Sequence, residues 1–490
     1  MDKNYLAVDL GAESGRVITG TLNNGKLSLK ESARFENGPV WFDGGFRWNL
    51  LSIQQGVLNG LKAALAETPD AISLSVDAWG VDYVWSGLGQ AMLAAPHQYR
   101  DPRTRDVYKA LLDDPGDATI YEETGIQFMP INTVYQLAAD LEQFPELLEH
   151  ADPFLFIADW FHAQLCGEQA VEPSSASTSQ LYNPVTRDWS KKLVEAVGLP
   201  ERLLPKIVPS GTTLGRLKPA VRDLLGGDLS VVATCSHDTG AAVAAVPATG
   251  DDWAYLSSGT WSLIGLELPE PLIHAESRSA NVTNEVGFAH TIRLLKNITG
   301  LWILQECRRT WAAAGQSFTY DELTQAAEAA EGLRTLIHPD HPPFLDPGTM
   351  PEKITEYAQA TGQPVPETPG QFTRCILESL ALSYRMTLDR LAELAGRDIK
   401  TLHIVGGGSQ SALLNQFAAN ATGRKVVAGP VEATAAGNIL MQAIADGTVA
   451  DLRGARAVVR QSFELTPYQP EPSADWEAAL ERYQQLPISL

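Results

Sequence analysis

The stretch CSHDTG, residues 235–240, places a histidine and an aspartate between an apolar run, residues 231–233, and a following segment rich in alanine and valine. This pattern is typical of a buried strand that gives way to a buried helix. An aspartate at such a junction can accept a proton from a hydroxyl group, which is the task of a general base in phosphoryl transfer. Asp238 or Thr239 could instead be the N-cap of the helix, and His237 alone is more often a hydrogen-bonded structural residue than a catalyst.

A second group of residues with chemical potential lies in DLGAESGR, residues 9–16. Its two glycines allow backbone conformations that expose N–H groups, and together with the hydroxyl of Ser14 these could bind phosphate. Asp9 could orient a hydrated Mg²⁺ ion, and Arg16 adds positive charge. A hairpin turn with a solvated arginine explains the same residues equally well. The stretch is not a Walker A loop, because it lacks GK[ST] and a strand rather than a helix follows.

Two later glycine-containing turns could also bind a ligand or be plain turns. SSGTWS, residues 257–262, offers Ser258 and Thr260 as hydroxyl donors to a phosphoryl group, although an ordinary β-turn has the same composition. IVGGGSQSALLNQF, residues 404–417, predicts a strand, three glycines and a helix, so a ligand could lie against the backbone there. The spacing is not GxGxxG, which makes an NAD site a poor interpretation. An adenine or ribose shelf fits better, and a plain turn between strand and helix remains possible.

These residues need strands and helices to position them, and hydrophobic periodicity predicts where those lie. We expect a β-meander over 4–35, an amphipathic helix over 49–66, a strand pair over 71–85, a polar joint at 248–253, a strand–turn–strand over 254–268, a proline-rich loop over 338–369, an amphipathic helix over 371–396 and a terminal helix over 473–486.

Length and composition limit the possible functions. A chain of 490 residues is too long for one core, and at roughly 150 residues per domain it predicts two to four domains. A net charge of −22 argues against nucleic acid or an anionic membrane as a partner, but not against ATP. The four cysteines are widely spaced, which fits reduced thiols rather than disulfides or a zinc site. No apolar run reaches the length of a membrane span and the N-terminus lacks a signal-peptide pattern, so we expect a cytoplasmic protein.

Taken together, seven segments in order resemble the FGGY carbohydrate kinases of the actin, hexokinase and Hsp70-like ATPase superfamily, over nearly the whole chain. They are AVDLGAESGR, SVDAWGVDYV, CSHDTGAAV, SSGTWSLIG, NITGLWILQECRR, HIVGGGSQSALLNQFAANATG and AGPVEATAAGNILMQA. The resemblance implies an α/β fold of two actin-like ATPase (ribonuclease H-like) domains flanking a deep cleft. Residues 1–247 would hold the sugar site, the first phosphate loop and the catalytic aspartate. Residues 248–490 would hold the second phosphate loop, the adenosine site and the terminal helix.

The resemblance also implies roles for individual residues. Asp238 matches the family's general base, and Asp9 would act on Mg²⁺ through water. The positions that match substrate contacts are Gly80, His237, Asp238, Thr239 and Asn297, with Asp77 and Trp79 as neighbours of Gly80. The positions that match ATP contacts are Ala12, Glu13, Ser14, Gly15, Arg16, Thr260, Gln305 and Gly407. Glu13 departs from the serine or threonine common in the family, and its carboxylate would repel phosphates unless it points away or helps to hold the metal.

The function implied by the resemblance is ATP-dependent phosphorylation of L-rhamnulose to L-rhamnulose 1-phosphate in L-rhamnose catabolism. A sister kinase for another ketose, such as L-fuculose, is the nearest alternative, because a few polar contacts decide which hydroxyls are recognised. An actin- or Hsp70-like ATPase without sugar kinase activity and a sugar-responsive regulator are more remote. The expected partners are a small sugar and ATP, with no nucleic acid and no membrane, and the protein is expected to be a monomer or a homodimer.

Overall fold

The computed structural model describes residues 2–471 and 473–490, with Leu147 described by its backbone only. The chain forms two compact units. The first consists of residues up to Pro247 together with Glu267–Leu294 and Ala433–Phe463, and the second of Ala248–Leu266, Leu295–Glu432 and Glu464–Leu490. The sequence also predicted a boundary after Pro247, but the chain returns to the first unit twice. The division of function between residues 1–247 and 248–490 stays a prediction.

A six-stranded sheet forms the centre of the first unit. Its strand order is Thr212–Arg216, Ser230–Ala233, Ser73–Ala78, Lys3–Leu10, Ser14–Asn23 and Lys26–Glu36. The second, third and fourth of these strands are parallel, and the last three form the expected antiparallel meander. Asn24 and Gly25 turn the chain between the last two strands with positive φ angles of 48° and 76°. The predicted meander is therefore confirmed.

Short strand pairs surround this sheet: Pro39–Phe42 with Gly45–Trp48, Tyr83–Val84 with Leu155–Phe156, Ser86–Gly87 with Ala91–Met92, Ala170–Val171 with Lys206–Ile207, and Tyr182–Asn183 with Asp188–Trp189. Two strands lie within 71–85 as expected, but the expectation that they pair with each other is wrong, because Tyr83–Val84 pairs with Leu155–Phe156. The chain leaves the sheet after Ala78, and Val81 follows with a φ of 66°. A β-branched residue rarely adopts this conformation, so no local pattern indicates the break.

The helices of the first unit are Leu50–Glu67, Arg105–Leu111, Asp117–Thr124, Thr133–Gln143, Pro145–Leu148, Ile157–Cys166, Pro173–Thr178, Lys191–Ala196, Pro219–Leu225, Asp238–Ala244, Ala275–Ser279, Ala433–Ala445 and Leu452–Ser462. The helix predicted over 49–66 is confirmed. Its N-cap is Asn49, whose side chain accepts from the Ser52 amide, and Ile53, Val57 and Leu61 are buried on one face.

The second unit contains a sheet in which Ile292–Thr299, Trp261–Leu268, Trp253–Ser258, Thr401–Val405, Lys425–Ala428 and Thr466–Tyr468 follow one another. Trp253–Ser258 is antiparallel to Trp261–Leu268 and parallel to Thr401–Val405. The strand Lys3–Leu10 has the same two kinds of neighbour in the first unit. The hypothesis that the two domains begin with equivalent hairpins agrees with this arrangement.

Among its described residues, the second unit has six α-helices: Trp302–Ala313, Tyr320–Glu328, Met350–Ala360, Pro369–Ala395, Ala412–Thr422 and Ala474–Gln484. The expectation that 338–369 is only a loop is wrong, because Met350–Ala360 lies within it. Pro351 occupies the first turn of that helix, where its missing N–H would have no partner inside the helix in any case. In the described part of the chain, no helix has both the length and the apolar character needed to cross a membrane.

A buried glutamate holds the turn that leads from Ser230–Ala233 to the helix Asp238–Ala244. Glu172 accepts hydrogen bonds from the amides of Ser174 (2.9 Å) and Ser236 (3.0 Å), and from the hydroxyls of Ser174 and Ser210. The Ser174 hydroxyl in turn accepts from the His237 amide at 3.0 Å. The turn is therefore fixed by groups far away in the sequence.

The helix Ala433–Ala445 packs against Asp238–Ala244 at very short range. A Cβ on Gly437 would lie 1.9 Å from the carbonyl oxygen of Ala241. Only glycine allows the two backbones to approach this closely, and the contact determines where the helix that begins at Asp238 lies.

We expect Glu172→Gln to change how stability depends on pH. Burial raises the pKa of Glu172 from 4.5 to about 7, although its hydrogen bonds favour the charged form. The folded state therefore binds the proton more tightly, so the stability from this group is present below about pH 4.5 and is lost as the pH rises to about 7. Between about pH 5 and about pH 8, the free energy of unfolding, measured with urea, should fall by about 3 kcal/mol more for wild type than for the variant. An equal change with pH in the two proteins would contradict this expectation.

We expect Gly437→Ala to destabilise the protein by about 1–3 kcal/mol, because the added methyl group collides with a backbone oxygen. Thermal unfolding followed by circular dichroism measures the effect. Gly454→Ala is the matched control, since the nearest atom to its added Cβ is a Val449 methyl group at 3.2 Å. The control should melt within a few degrees of wild type. Equal melting temperatures for the two variants would contradict the close helix contact.

Candidate functional site

Three carboxylates lie side by side at one edge of the first unit's sheet. Asp9 and Asp77 are direct neighbours in the parallel pairing of Lys3–Leu10 with Ser73–Ala78. Asp238 follows the third parallel strand, and His237 forms a bridge with Ala78. Because parallel strands present their carboxyl ends at the same edge, the register alone brings the three acids together.

Asp77 carries the most buried of these carboxylates. Its Oδ2 accepts from Nδ2 of Asn438 at 2.6 Å, while its buried Oδ1 has no hydrogen-bond partner among the described residues. Burial, followed by the charges of Asp9 and Asp238, raises the pKa of Asp77 well above its ordinary value. This edge of the sheet therefore favours a proton, a cation or a hydroxyl donor beside Asp77.

Asp238 is the first residue of the helix Asp238–Ala244, and the N-cap is His237, without a side-chain capping bond. The expectation that Asp238 or Thr239 caps the helix is therefore wrong. The Oδ1 atom of Asp238 accepts from the Thr239 amide and from the Thr239 hydroxyl at 3.1 Å. Every described contact to this carboxylate is made by Oδ1, so Oδ2 is left to receive a proton. Burial raises the pKa of Asp238, with Asp9 adding to the shift and His237 opposing it.

His237 is surrounded by charged groups that sequence reasoning missed. Its Nδ1 lies 3.1 Å from Nη2 of Arg293 and 3.4 Å from Oε2 of Glu285, and its Nε2 lies 3.4 Å from Oδ1 of Asp238. Arg293 stands in the otherwise apolar stretch IRLL, whereas Glu285 lies on the strand Thr283–Val286, which contains two other polar residues. A charged residue inside an apolar strand is the signal that could have identified Arg293, because such residues are rarely buried without a partner. Glu285 has no comparable signal.

Gly80 lies against the histidine from another side. A Cβ on Gly80 would be 3.0 Å from Thr178 Cγ2 and 3.3 Å from His237 Nε2. Its neighbour Trp79 donates from its indole N–H to Asp82 at 3.0 Å and packs on Trp48. Glycine at position 80 therefore lets Thr178 and His237 pack closely against the backbone, whereas Trp79 is held by a buried carboxylate.

The first glycine turn has the geometry of a tight hairpin. The Gly11 amide donates to the Ser14 carbonyl at 2.9 Å, and Arg16 forms an ion pair with Asp9, its partner in the strand register. Glu13 is exposed, and the position of its carboxylate relative to a bound phosphate stays a prediction.

The corresponding turn of the second unit is held by two other segments. The Thr260 carbonyl accepts from the amides of Gly300 and Trp302, both at 3.2 Å. A Cβ on Gly408 would lie 2.0 Å from the Ser258 hydroxyl, whereas Gly407 has no neighbouring atom within 4 Å of such a position. Among the glycines at 406–408, Gly407 is therefore the one with open space beside its Cα, so its backbone can face a ligand.

Gln305 and Asn297 belong to the segments on either side of Gly300. Gln305 lies on the helix Trp302–Ala313, and its buried Oε1 has no hydrogen-bond partner among the described residues. Asn297 lies on the strand Ile292–Thr299 and is partly exposed. Both positions suit contacts with a small ligand.

The expected site residues thus form two groups. The first unit carries Asp9, Ala12, Glu13, Ser14, Gly15, Arg16, Gly80, His237, Asp238 and Thr239, and the second carries Thr260, Asn297, Gln305 and Gly407. A common site for the two groups stays a prediction. Within residues 2–471 and 473–490, no cluster of three or more His, Cys, Asp or Glu side chains is arranged to hold a metal ion.

Comparison with known proteins identifies the family. The model of the FGGY family of carbohydrate kinases matches with its N-terminal domain over residues 4–245 and with its C-terminal domain over 254–445. The chain is 44% identical to a rhamnulokinase of Bacteroides thetaiotaomicron, over 98% of each protein. It is 40% identical to a rhamnulokinase of Pectobacterium atrosepticum, over 99% of this chain and 96% of that protein.

A solved structure shows the same fold. Gluconate kinase from Lactobacillus acidophilus matches with a TM-score of 0.79 and 17% identity, over 99% of this chain and 96% of that one. The expected two-domain α/β ATPase fold is therefore confirmed. Because the family models match most of the chain and the relatives match nearly all of it, this protein belongs to the FGGY family of carbohydrate kinases.

Proposed function

We propose that this carbohydrate kinase transfers the γ-phosphoryl group of ATP to L-rhamnulose and forms L-rhamnulose 1-phosphate. The observation that carries the proposal is the near full-length similarity to rhamnulokinases, at 44% identity in one case. Membership of a sugar kinase family makes ATP the co-substrate. The reaction would serve L-rhamnose catabolism in the cytoplasm.

Asp238 is the proposed general base. Its Oδ2 would take the proton of the sugar's C1 hydroxyl as the hydroxyl oxygen bonds to the γ-phosphorus, and the bond from that phosphorus to the bridging oxygen of ADP would break. The raised pKa of Asp238 supports this role, because a more basic carboxylate is a better proton acceptor. Its partly exposed side chain supports it as well, since the sugar must be able to reach it.

The sugar contacts are proposed for Gly80, His237, Thr239 and Asn297. Gly80 lies directly beside His237, so a ketose bound to that histidine would also be near the backbone of Gly80. His237 and Asp238 are neighbours and can bind hydroxyl groups, since an imidazole and a carboxylate together supply a donor and acceptors.

The nucleotide contacts are proposed for the two glycine turns and their neighbours: Ala12, Glu13, Ser14, Gly15, Arg16, Thr260, Gln305 and Gly407. The first turn and Arg16 would serve the phosphates, and the open backbone at Gly407 would serve the adenosine. Residues 1–247 would thus provide the sugar site and the first phosphate loop, and residues 248–490 the second phosphate loop and the adenosine site.

Mg²⁺ is the proposed metal, held through water by Asp9. The chemistry of the neighbouring groups fits a hydrated cation, because Asp9, Asp77 and Asp238 repel one another and the buried Oδ1 of Asp77 has no partner in the described part of the chain. When bound, Mg²⁺ would neutralise charge on the phosphates. Arg16, paired with Asp9, would hold that carboxylate in position.

The substrate is tested by ADP release from Mg·ATP, measured with a coupled assay for L-rhamnulose, L-fuculose, glycerol and a sample without sugar. We expect L-rhamnulose to give by far the highest kcat/KM, because hydroxyl recognition rests on a few polar contacts. A preference for L-fuculose would replace the proposal with a sister kinase. Equal hydrolysis without sugar would favour an ATPase of the actin or Hsp70 type.

Asp238→Asn tests the base. The amide keeps the shape of the carboxylate but cannot take a proton, so kcat should fall by about 10²- to 10⁴-fold. Binding of ATP and of the sugar, measured by calorimetry, should stay within about threefold. A variant that melts like wild type and retains near-normal turnover would remove Asp238 from this role.

A further inference from the structure

A fully buried arginine lies beneath His237. The guanidinium of Arg293 is inaccessible to solvent and forms an ion pair with Glu285, with 3.0 Å between Nη2 and Oε2. Its Nε donates to the Val286 carbonyl at 3.2 Å. Burying an ion pair is costly, and apolar residues of similar size often stabilise a protein as well. The pair therefore calls for an explanation other than stability.

The contact between Arg293 and His237 determines which ring nitrogen carries the proton. A guanidinium group can only donate hydrogen bonds, so at 3.1 Å from Nη2 the Nδ1 atom of His237 must accept. A proton on Nδ1 would point toward the positive charge of Arg293. The Oε2 atom of Glu285 lies farther away, 3.4 Å from Nδ1, and makes no hydrogen bond with the described residues. The proton of the neutral ring therefore lies on Nε2, which faces Oδ1 of Asp238 at 3.4 Å.

Glu285 keeps the guanidinium in place. Although burial raises the pKa of Glu285, the charge of Arg293 and the contact with His237 lower it below its ordinary value, so the carboxylate stays ionised. It balances the positive charge that would otherwise lie uncompensated beside the imidazole. Thus Glu285 orients Arg293, Arg293 orients His237, and His237 faces the oxygen of Asp238 that Thr239 also holds.

We propose that Arg293 and Glu285 are positioning residues that hold His237 as the Nε2–H tautomer, so that His237 and Thr239 engage Oδ1 of Asp238 and leave Oδ2 to act as the base. The last step rests on the proposed function, in which Asp238 is the general base. The tautomer of His237 does not depend on that function. The two parts can therefore fail separately.

The tautomer is tested by ¹⁵N NMR of the enzyme labelled at histidine, without sugar or nucleotide, with the His237 signals assigned from His237→Gln. We expect a pyrrole-type signal for Nε2 and a pyridine-type signal for Nδ1. In Arg293→Met combined with Glu285→Gln, this preference should be lost. A protonated Nδ1 in wild type, or an unchanged tautomer in the double variant, would overturn the proposal.

The effect on catalysis is tested with the same double variant, which removes both charges without leaving either one buried alone. We expect kcat to fall by about 10- to 100-fold while KM for ATP stays within about twofold, because misplacing the base affects the chemical step. Arg293→Lys keeps a charged donor and should recover most of kcat. The matched control is Arg103→Met combined with Asp140→Asn, which removes another buried ion pair, 3.0 Å long, from the first unit.

The control variant, Arg103→Met with Asp140→Asn, should have a lower melting temperature than wild type, but its kcat should stay within about threefold of wild type. Equal losses of kcat in the two double variants would mean that Arg293 and Glu285 act only through stability, and the positioning role would be rejected. If Asp238→Asn retains turnover while the Nε2–H tautomer is observed, the proposed base fails but the tautomer assignment stands.

Discussion

The crowding of three carboxylates at the end of three parallel strands is the constraint on which the rest of the first unit depends. The pairing that forms the sheet sets Asp9 beside Asp77, and the strand that precedes Asp238 lies next in order. Burial, together with the neighbouring charges, raises the pKa of Asp77 and of Asp238. Each of the three carboxylates has its own compensating group: Arg16 for Asp9, Asn438 for Asp77, and His237 with Thr239 for Asp238.

The compensating groups act only if the backbone around them is held still, and buried polar residues and glycines provide this. Glu172 fixes the turn before the helix that begins at Asp238, while Gly437 lets a second helix approach that helix closely. Burial of Glu172 and Asp77 raises the pKa of both, so each is disfavoured as an anion. The first unit thus gives up some stability near neutral pH to keep the edge of the sheet in one geometry.

Local patterns predicted the elements that have strong periodicity or clear turn residues. The meander over 4–35, the helix Leu50–Glu67 and the helix Pro369–Ala395 belong to this group. Two expectations failed, each for its own reason. Val81 adopts a positive φ, which a β-branched residue rarely does, so no local pattern indicates the break there. Pro351 lies in the first turn of the helix Met350–Ala360, a position that suits proline, so a high proline content does not exclude a helix.

The sequence by itself determined the family, the order of its motifs and the candidate base, because these depend on residue types and on spacing along the chain. Only the tertiary structure decided which oxygen of Asp238 is left free, and that Glu285 and Arg293 lie beneath His237. Residue 237 meets residues 285 and 293 because of how strands and helices pack. The same holds for Asp77 with Asn438 and for Glu172 with Ser236. Contacts across such distances depend on sheet order and helix approach, which no stretch of sequence specifies alone.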